Sequence, residues 1–274
     1  MPIKKLVMTG GGTNGFATLG VLHTLEMSKE LELEAISGVS VGALIGYAVA
    51  LGMKAEEVLV ALKSHPPLLS TKNWKLESFF SNYGLDDASC ISSFICDIGK
   101  KHMNNETPTF LELYTFSKIN FFVTATNLTT KSFVTFNYES DPDMKVIDAL
   151  RLSYCVPIYF TKISHNGDFY VDGSVTNDIP FHPFIHETTE KDLEETLILQ
   201  IKSNNSESQG TNGIFKYIYT IIDTVVCALQ KVQSPFTSVK IITNKPTLKI
   251  DYTTDYIDEL YEIGKRTVIN GLTN

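Results

Sequence analysis

Cysteine is scarce and unpatterned. The 274-residue chain has four, Cys90, Cys96, Cys155 and Cys227, without C-x-x-C spacing or disulfide density. That excludes a cystine-stapled scaffold and a zinc ribbon, and it points to a reducing, intracellular setting. Positive charge is in deficit, with 23 Lys and Arg against 31 Asp and Glu and a formal charge of -8. Nucleic acid is therefore excluded as an expected partner, and a strongly anionic membrane is met only through a local patch. No apolar run reaches membrane-spanning length, and no signal-peptide core follows Met1. Repeats and low-complexity tracts are missing as well. The expected location is cytoplasmic, with peripheral membrane contact open. A hydrophobic content of 43% suffices for one large core, so a single domain over residues 1–274 is expected.

What is present is concentrated near the start. Residues 5–9 read as a buried strand, residues 16–25 carry helical spacing through Leu19, Leu22 and Leu25, and residues 31–37 read as a second strand. Gly10-Gly11-Gly12-Thr13-Asn14-Gly15 lies at the first strand–helix junction and Gly38-Val39-Ser40-Val41-Gly42 at the second. Open parallel sheets place ligands and reacting atoms at such junctions. A serine on a strand-to-helix turn is held in a strained conformation, with Gly38 and Gly42 removing side chains that would collide beneath it. Its hydroxyl stands at a helix N-terminus, where the N–H of Val41 favours an anion on a neighbouring carbonyl oxygen. Three consecutive glycines turn further N–H groups toward one point. Two such elbows on neighbouring strands suggest one acyl-transfer site, the first supplying amides and the second a nucleophile.

Rival readings attach to the same residues. Gly10, Gly12 and Gly15 have the spacing of a dinucleotide fingerprint, with Glu32 and Glu34 near the place of its acidic residue; yet that strand leads into Ser40. A plain glycine-cushioned turn is the bland alternative. Further along, Asn166-Gly167 signals a hairpin between residues 160–164 and 169–171, and Asp172-Gly173 could be a second turn. The apolar run 169–171 instead delivers Asp172 to a sheet end, where a carboxylate made more basic by burial can take a proton from Ser40. His182 or His186 could complete a Ser, Asp, His order. These two histidines, with Glu187 or Glu190, also have metal-compatible spacing, although no metal is expected. Cys155 has no basic neighbour in sequence to make it a nucleophile.

The glycine run followed by Gly38-Val39-Ser40-Val41-Gly42, with Asp172-Gly173-Ser174 downstream, resembles the patatin-like phospholipase family. Residues 149–157 and 260–265 extend the resemblance over most of the chain. It implies an α/β fold of three layers, a central mostly parallel sheet with helices on both faces. It also implies a Ser/Asp dyad of Ser40 and Asp172, an oxyanion site of Gly10, Gly11, Gly12 and Val41 N–H groups, and Gly15, Gly38, Gly42 and Gly173 as motif support. The implied activity is metal- and cofactor-independent cleavage of a glycerophospholipid or other lipid ester, at a membrane or micelle surface. Three departures stand out: Asn14 where a basic residue is usual, Ser174 for Gly or Ala, and Thr9 for Asp or Ser. A catalytically idle lipid- or protein-binding module on the same scaffold is the alternative.

For the rest of the chain, helices are expected at 54–65, 86–101 and 145–153, strands at 120–126, 132–137, 197–202 and 236–243, and a closing helix at 255–270. Thr109 is the expected cap of a further helix. Residues 68–109 read as a packing layer or a lid-like insertion. Residues 203–213 read as a mobile loop. Residues 214–232 form a helix whose wide stripe through Ile218, Ile221, Val225, Leu229 and Val232 reads as core or a homo-oligomer seam, with a lipid-entering surface as the alternative.

Overall fold

The computed structural model describes residues 2–185, 189–204 and 214–271. In chain order the first part comprises β1 (Ile3–Met8), a 3-10 turn (Gly12–Gly15), α1 (Phe16–Met27), β2 (Leu31–Val39), α2 (Val41–Ala50) and α3 (Ala55–Ser64). Next come α4 (Leu76–Asn82), β3 (Gly84–Asp86), α5 (Ser89–Met103), α6 (Phe110–Ser117), β4 (Asn120–Asn127), β5 (Ser132–Phe136) and α7 (Val146–Ser153). The chain closes with β6 (Ile158–Phe160), β7 (Ile163–His165), β8 (Asp168–Asp172), α8 (Glu190–Glu195), β9 (Thr196–Ser203), α9 (Ile214–Leu229), β10 (Thr237–Thr243) and α10 (Thr254–Gly271).

The main sheet runs β10-β9-β1-β2-β4-β8-β7, with β5 also paired to β4, and its first five strands are parallel. Parallel strands are covered on both faces, so their sequences are apolar throughout rather than alternating. In β1, Leu6 and Met8 enter the larger core while Val7 enters the smaller one on the opposite face. The larger core is closed by α1, α2 and α10, and the smaller by α8 and the segment carrying Ile179, Phe181 and Phe184. The result is the mostly parallel α/β sheet with helices on both faces that the sequence leads one to expect.

Because α2 carries small residues, it can approach the sheet closely. A methyl group added to Gly42 would meet the carbonyl oxygens of Met8 and Thr9 in hard contact. Gly42→Ala is therefore expected to cost about 1–3 kcal/mol, read as a lower urea midpoint at unchanged slope.

Several elements differ from the sequence expectation. β2 does not end at the acidic residues: Glu32 and Glu34 point outward and the strand runs on to Val39, which removes the dinucleotide reading. Residues 160–164 are not one strand. Phe160 belongs to β6, which pairs with β3 in a separate two-stranded sheet, while β7 and β8 form the hairpin around Asn166 and Gly167, both at positive φ. Asp172-Gly173 is no hairpin turn but the start of a 3-10 turn. The stripe on α9 is not core, because Ile221, Val225 and Val232 are 47%, 43% and 52% exposed. Helical spacing reports amphipathicity, but not which face the fold covers. Of the expected loop 203–213, Ser203 is the last residue of β9, and residues 205–213, like His186 and Glu187, lie outside the described residues.

Candidate active site

The register of β4 brings the two marked segments together. Thr124 pairs with Thr135 of β5 and Val39 of β2, while the next residue, Ala125, pairs with Val134 of β5 and Asp172 of β8. With β5 along one edge of β4, β2 and β8 share the other, arriving from opposite directions and stopping at adjacent positions. Ser40 follows the end of β2, and Asp172 ends β8. The Ser40 hydroxyl donates to Asp172 Oδ2 at 2.6 Å.

Ser40 adopts φ 53 and ψ -125, a conformation costly for a residue with a Cβ and stabilised by its surroundings. Its N–H donates to Ser153 Oγ at 2.9 Å, and Ser153 Oγ donates in turn to Thr124 O at 2.6 Å. Ser153, at the end of α7, thus ties the turn to β4. Nothing in its spacing marks it in the sequence. Replacing Ser153 by Ala strands a buried N–H and a buried carbonyl. The expected result is a loss of about 1–3 kcal/mol in stability and roughly tenfold in kcat, checked by urea melts and steady-state assays.

Asp172 is 4% exposed. Burial pushes its carboxyl up to about 6, against the lowering effect of hydrogen bonds from the Ser40 hydroxyl and the Ser174 N–H. The Ser174 N–H donates to Oδ1 at 2.9 Å, Thr126 Oγ1 donates to the Asp172 carbonyl at 2.9 Å, and the Asp172 N–H donates to Cys155 O at 2.8 Å. Such a carboxylate is poised to exchange a proton near neutrality.

The glycine run is pinned by two of the departing residues, Thr9 and Asn14, and by Thr13. Thr9 Oγ1 donates to Gly10 O and accepts from the Ile201 N–H. The Thr13 N–H donates to Thr247 O at 2.9 Å and Asn14 Nδ2 to Lys245 O at 3.2 Å. Gly11 adopts φ 151, out of reach for most side chains, and a methyl group on Gly12 would collide with Thr247 O. Gly12 opens a 3-10 turn and Val41 opens α2, so both N–H groups precede their helix ladders. Gly11, Gly12 and Asn14 line a cavity of about 490 Å³ with Ser40 and Asp172. Gly10 lies behind them, against Ser174 and Asp178. Gly15 packs on Val41, Gly38 on the start of α2, and Gly173 on Thr124 and Val39, so each of these glycines supports one of the two elbows.

Trp74, Leu85, Ile158 and Leu248 give the cavity lining an apolar part. Trp74 and Leu85 come from residues 68–109, whereas α5 of the same stretch is built into the larger core through Ile91, Phe94 and Ile95. α9 contributes Ile222, Asp223 and Val226 to the lining.

The rival groups stand elsewhere. His182 does not line this cavity; its ring stacks on Phe181 at 5.1 Å and meets Phe133 at 4.6 Å. Cys155 is buried, its thiol donates to Thr161 O at 3.2 Å, and burial pushes it up to about 12. Among the described residues, no group of three or more His, Cys, Asp or Glu is placed to hold a metal ion, and no helix is long and apolar enough to cross a membrane.

Comparison with known proteins agrees with this architecture. The fold is shared with VipD from Legionella pneumophila, at 14% identity and a TM-score of 0.63 over 98% of this chain and 66% of that one. It is shared too with the type III effector ExoU of Pseudomonas aeruginosa, at 16% identity and a TM-score of 0.58 over 99% and 53%. Residues 6–185 match the family described as patatin-like phospholipase, and the chain belongs to that family. Among viral relatives, "Probable lipid hydrolase 463L" of Invertebrate iridescent virus 6 is 29% identical over 65% of this chain and 61% of its own length. "Uncharacterized protein R571" of Acanthamoeba polyphaga mimivirus is 26% identical over 80% and 74%. The alignment with the iridescent virus protein thus spans about three fifths of that relative's length.

Proposed function

We propose that the protein is a serine acyl hydrolase of lipid esters, in which Ser40 is the nucleophile and Asp172 the single proton-transfer partner. The observation that carries this is the 2.6 Å bond from the Ser40 hydroxyl, on its strained turn, to a carboxylate that burial has made more basic. Family membership and the lipid-hydrolase name of the iridescent virus relative support the substrate class.

Ser40 Oγ attacks the ester carbonyl carbon while its proton passes to Asp172 Oδ2. The carbonyl oxygen gains the negative charge and is met by N–H groups of the glycine run and of Val41. When the carbonyl re-forms, the C–O bond to the alcohol breaks and the alcohol leaves with the proton from Asp172. Water then loses a proton to Asp172 and attacks the acyl-serine. The fatty acid leaves and Ser40 Oγ recovers its proton. Every proton is accounted for by one carboxyl, so neither a metal nor a histidine is required.

The apolar part of the cavity lining is suited to the acyl chain, and the segment contributing Trp74 and Leu85 is the part of 68–109 placed to act as a rim or lid. The outward apolar side chains of α9 fit peripheral contact with a membrane or micelle surface, or a seam between copies of the chain. Fluorophosphonate labelling followed by peptide mapping tests the nucleophile: label on Ser40 supports the proposal. Well-folded protein without label would make it a binding module instead.

A further inference from the structure

Among the described residues, the cavity lining offers carboxylates and no cation. Asn14 Oδ1, on the cavity lining, is buried without a hydrogen-bond partner, whereas the Asp178 carboxyl is met by the Ser174 side chain and the Gly10 N–H. Asn14 is 0% exposed and Asp178 1%. Asp178 Oδ2 accepts from Gln230 Nε2 at 2.7 Å, while Oδ1 rests against Gly10. Asp223, on the cavity side of α9, has no hydrogen-bond or ion-pair partner among the described residues, and burial pushes its carboxyl up. No Lys, Arg or His is among the described residues that line the cavity. Buried polar atoms left unpaired are costly and rare in native proteins. An unpartnered buried acceptor and an unpaired carboxylate on a cavity lining therefore mark groups a ligand would satisfy.

Chemistry narrows that ligand. An amide oxygen and a carboxylate oxygen accept hydrogen bonds, and a hydroxyl can do either. A phosphate monoester can only add negative charge and further acceptors where Asp172, Asp178 and Asp223 already stand. A hydroxyl-bearing polar part supplies the missing donors at no electrostatic cost. Resting on the acyl-hydrolase reading above, we infer that the site selects lipid esters whose polar part is uncharged and donates hydrogen bonds, such as the free hydroxyls of a partial acylglycerol, over those ending in an anionic phosphate. Asp223 is the specificity-determining residue on the wall formed by α9, and Asn14 is the acceptor on the glycine-run wall. Asn14 thereby gives a use to the position that is usually basic in the resemblance set out above: with a cation there, the same wall would welcome an anion.

The test compares two esters of the same fatty acid in the same detergent micelles, 1-monooleoylglycerol and oleoyl-lysophosphatidic acid, which differ by the phosphate alone. The wild-type protein is expected to favour the monoacylglycerol by at least about tenfold in kcat/KM. Asp223→Lys places a cation on the same wall and is expected to shrink that ratio by about tenfold, mainly through KM for the phosphate-bearing ester. Asp223→Asn should fall between the two. Equal or better cleavage of oleoyl-lysophosphatidic acid by wild type, or a ratio indifferent to Asp223→Lys, overturns the inference. p-Nitrophenyl butyrate, which has no polar head, separates this failure from failure of the underlying reading. If wild type cleaves it yet prefers the phosphate-bearing ester, only the head-group inference falls; if wild type cleaves none of the three, the hydrolase reading falls.

Discussion

Ser40→Ala is expected to reduce lipid-ester turnover by at least about four orders of magnitude while the protein stays folded. The size of the effect follows from the lack of a substitute. Cys155, whose carbonyl accepts the Asp172 N–H, is buried and its thiol is pushed up to about 12 by burial, so almost no thiolate exists to take over. Cys227 lines the cavity, but burial and the carboxyls of Asp223 and Asp178 raise its thiol as well. Ser174 meets the Asp172 carboxylate through its N–H on Oδ1, not on the Oδ2 that faces the Ser40 hydroxyl. The substitution also removes one of the donors that lower the Asp172 carboxyl, so Asp172 should titrate higher in the variant than its wild-type value of about 6. Turnover assays with a matched thermal melt check the first claim, and a carboxyl-resolved NMR titration checks the second. Residual turnover within tenfold of wild type would place the nucleophile elsewhere.

The legibility of this site in the sequence was uneven, for physical reasons. Strand–glycine–helix junctions announce themselves because side chains rarely tolerate the backbone required there, as at Gly11 with φ 151, and because apolar runs stop abruptly at them. Ser40, the glycine run and most element boundaries were readable on that basis. That Asp172 faces Ser40 was readable only through family resemblance, since their meeting depends on where β2 and β8 stop along β4, and strand register is not written in either segment alone. Ser153, Thr126 and Gln230 were not readable. Each is an ordinary polar residue whose importance comes from long-range hydrogen bonds, among them those to Ser40, Asp172 and Asp178 respectively. The α9 stripe misleads for the opposite reason. Its periodicity is strong, yet Ile221 and Val225 face outward because the inner face of the helix is already taken up by the cavity.

Asp172→Asn is expected to lower kcat/KM by about a thousandfold and yet to make the protein more stable at pH 8. The two results share one cause. The folded carboxyl titrates at about 6 rather than at its ordinary 3.8, because burial disfavours the charge. For an acid raised in this way, the folded state holds its proton more tightly than the unfolded chain does. The stabilising contribution is complete below pH 3.8 and is lost as pH rises through about 6, amounting to ~3 kcal/mol above that window. Asparagine carries no charge at any of these pH values, and its amide can still accept the Ser174 N–H and donate to Ser40 Oγ. The variant should therefore melt with wild type near pH 4 and above it by roughly 6 °C at pH 8. Over the same range, wild-type kcat/KM should climb with pH to a plateau, with its midpoint near 6, because only the ionised carboxylate can accept the serine proton. The variant's residual rate should lack that limb. A variant less stable than wild type at pH 8, or a wild-type profile flat between pH 5 and 7, would separate the buried charge at Asp172 from the chemistry; together the expected results mean that the fold gives up stability at neutral pH to hold a base where Ser40 can use it.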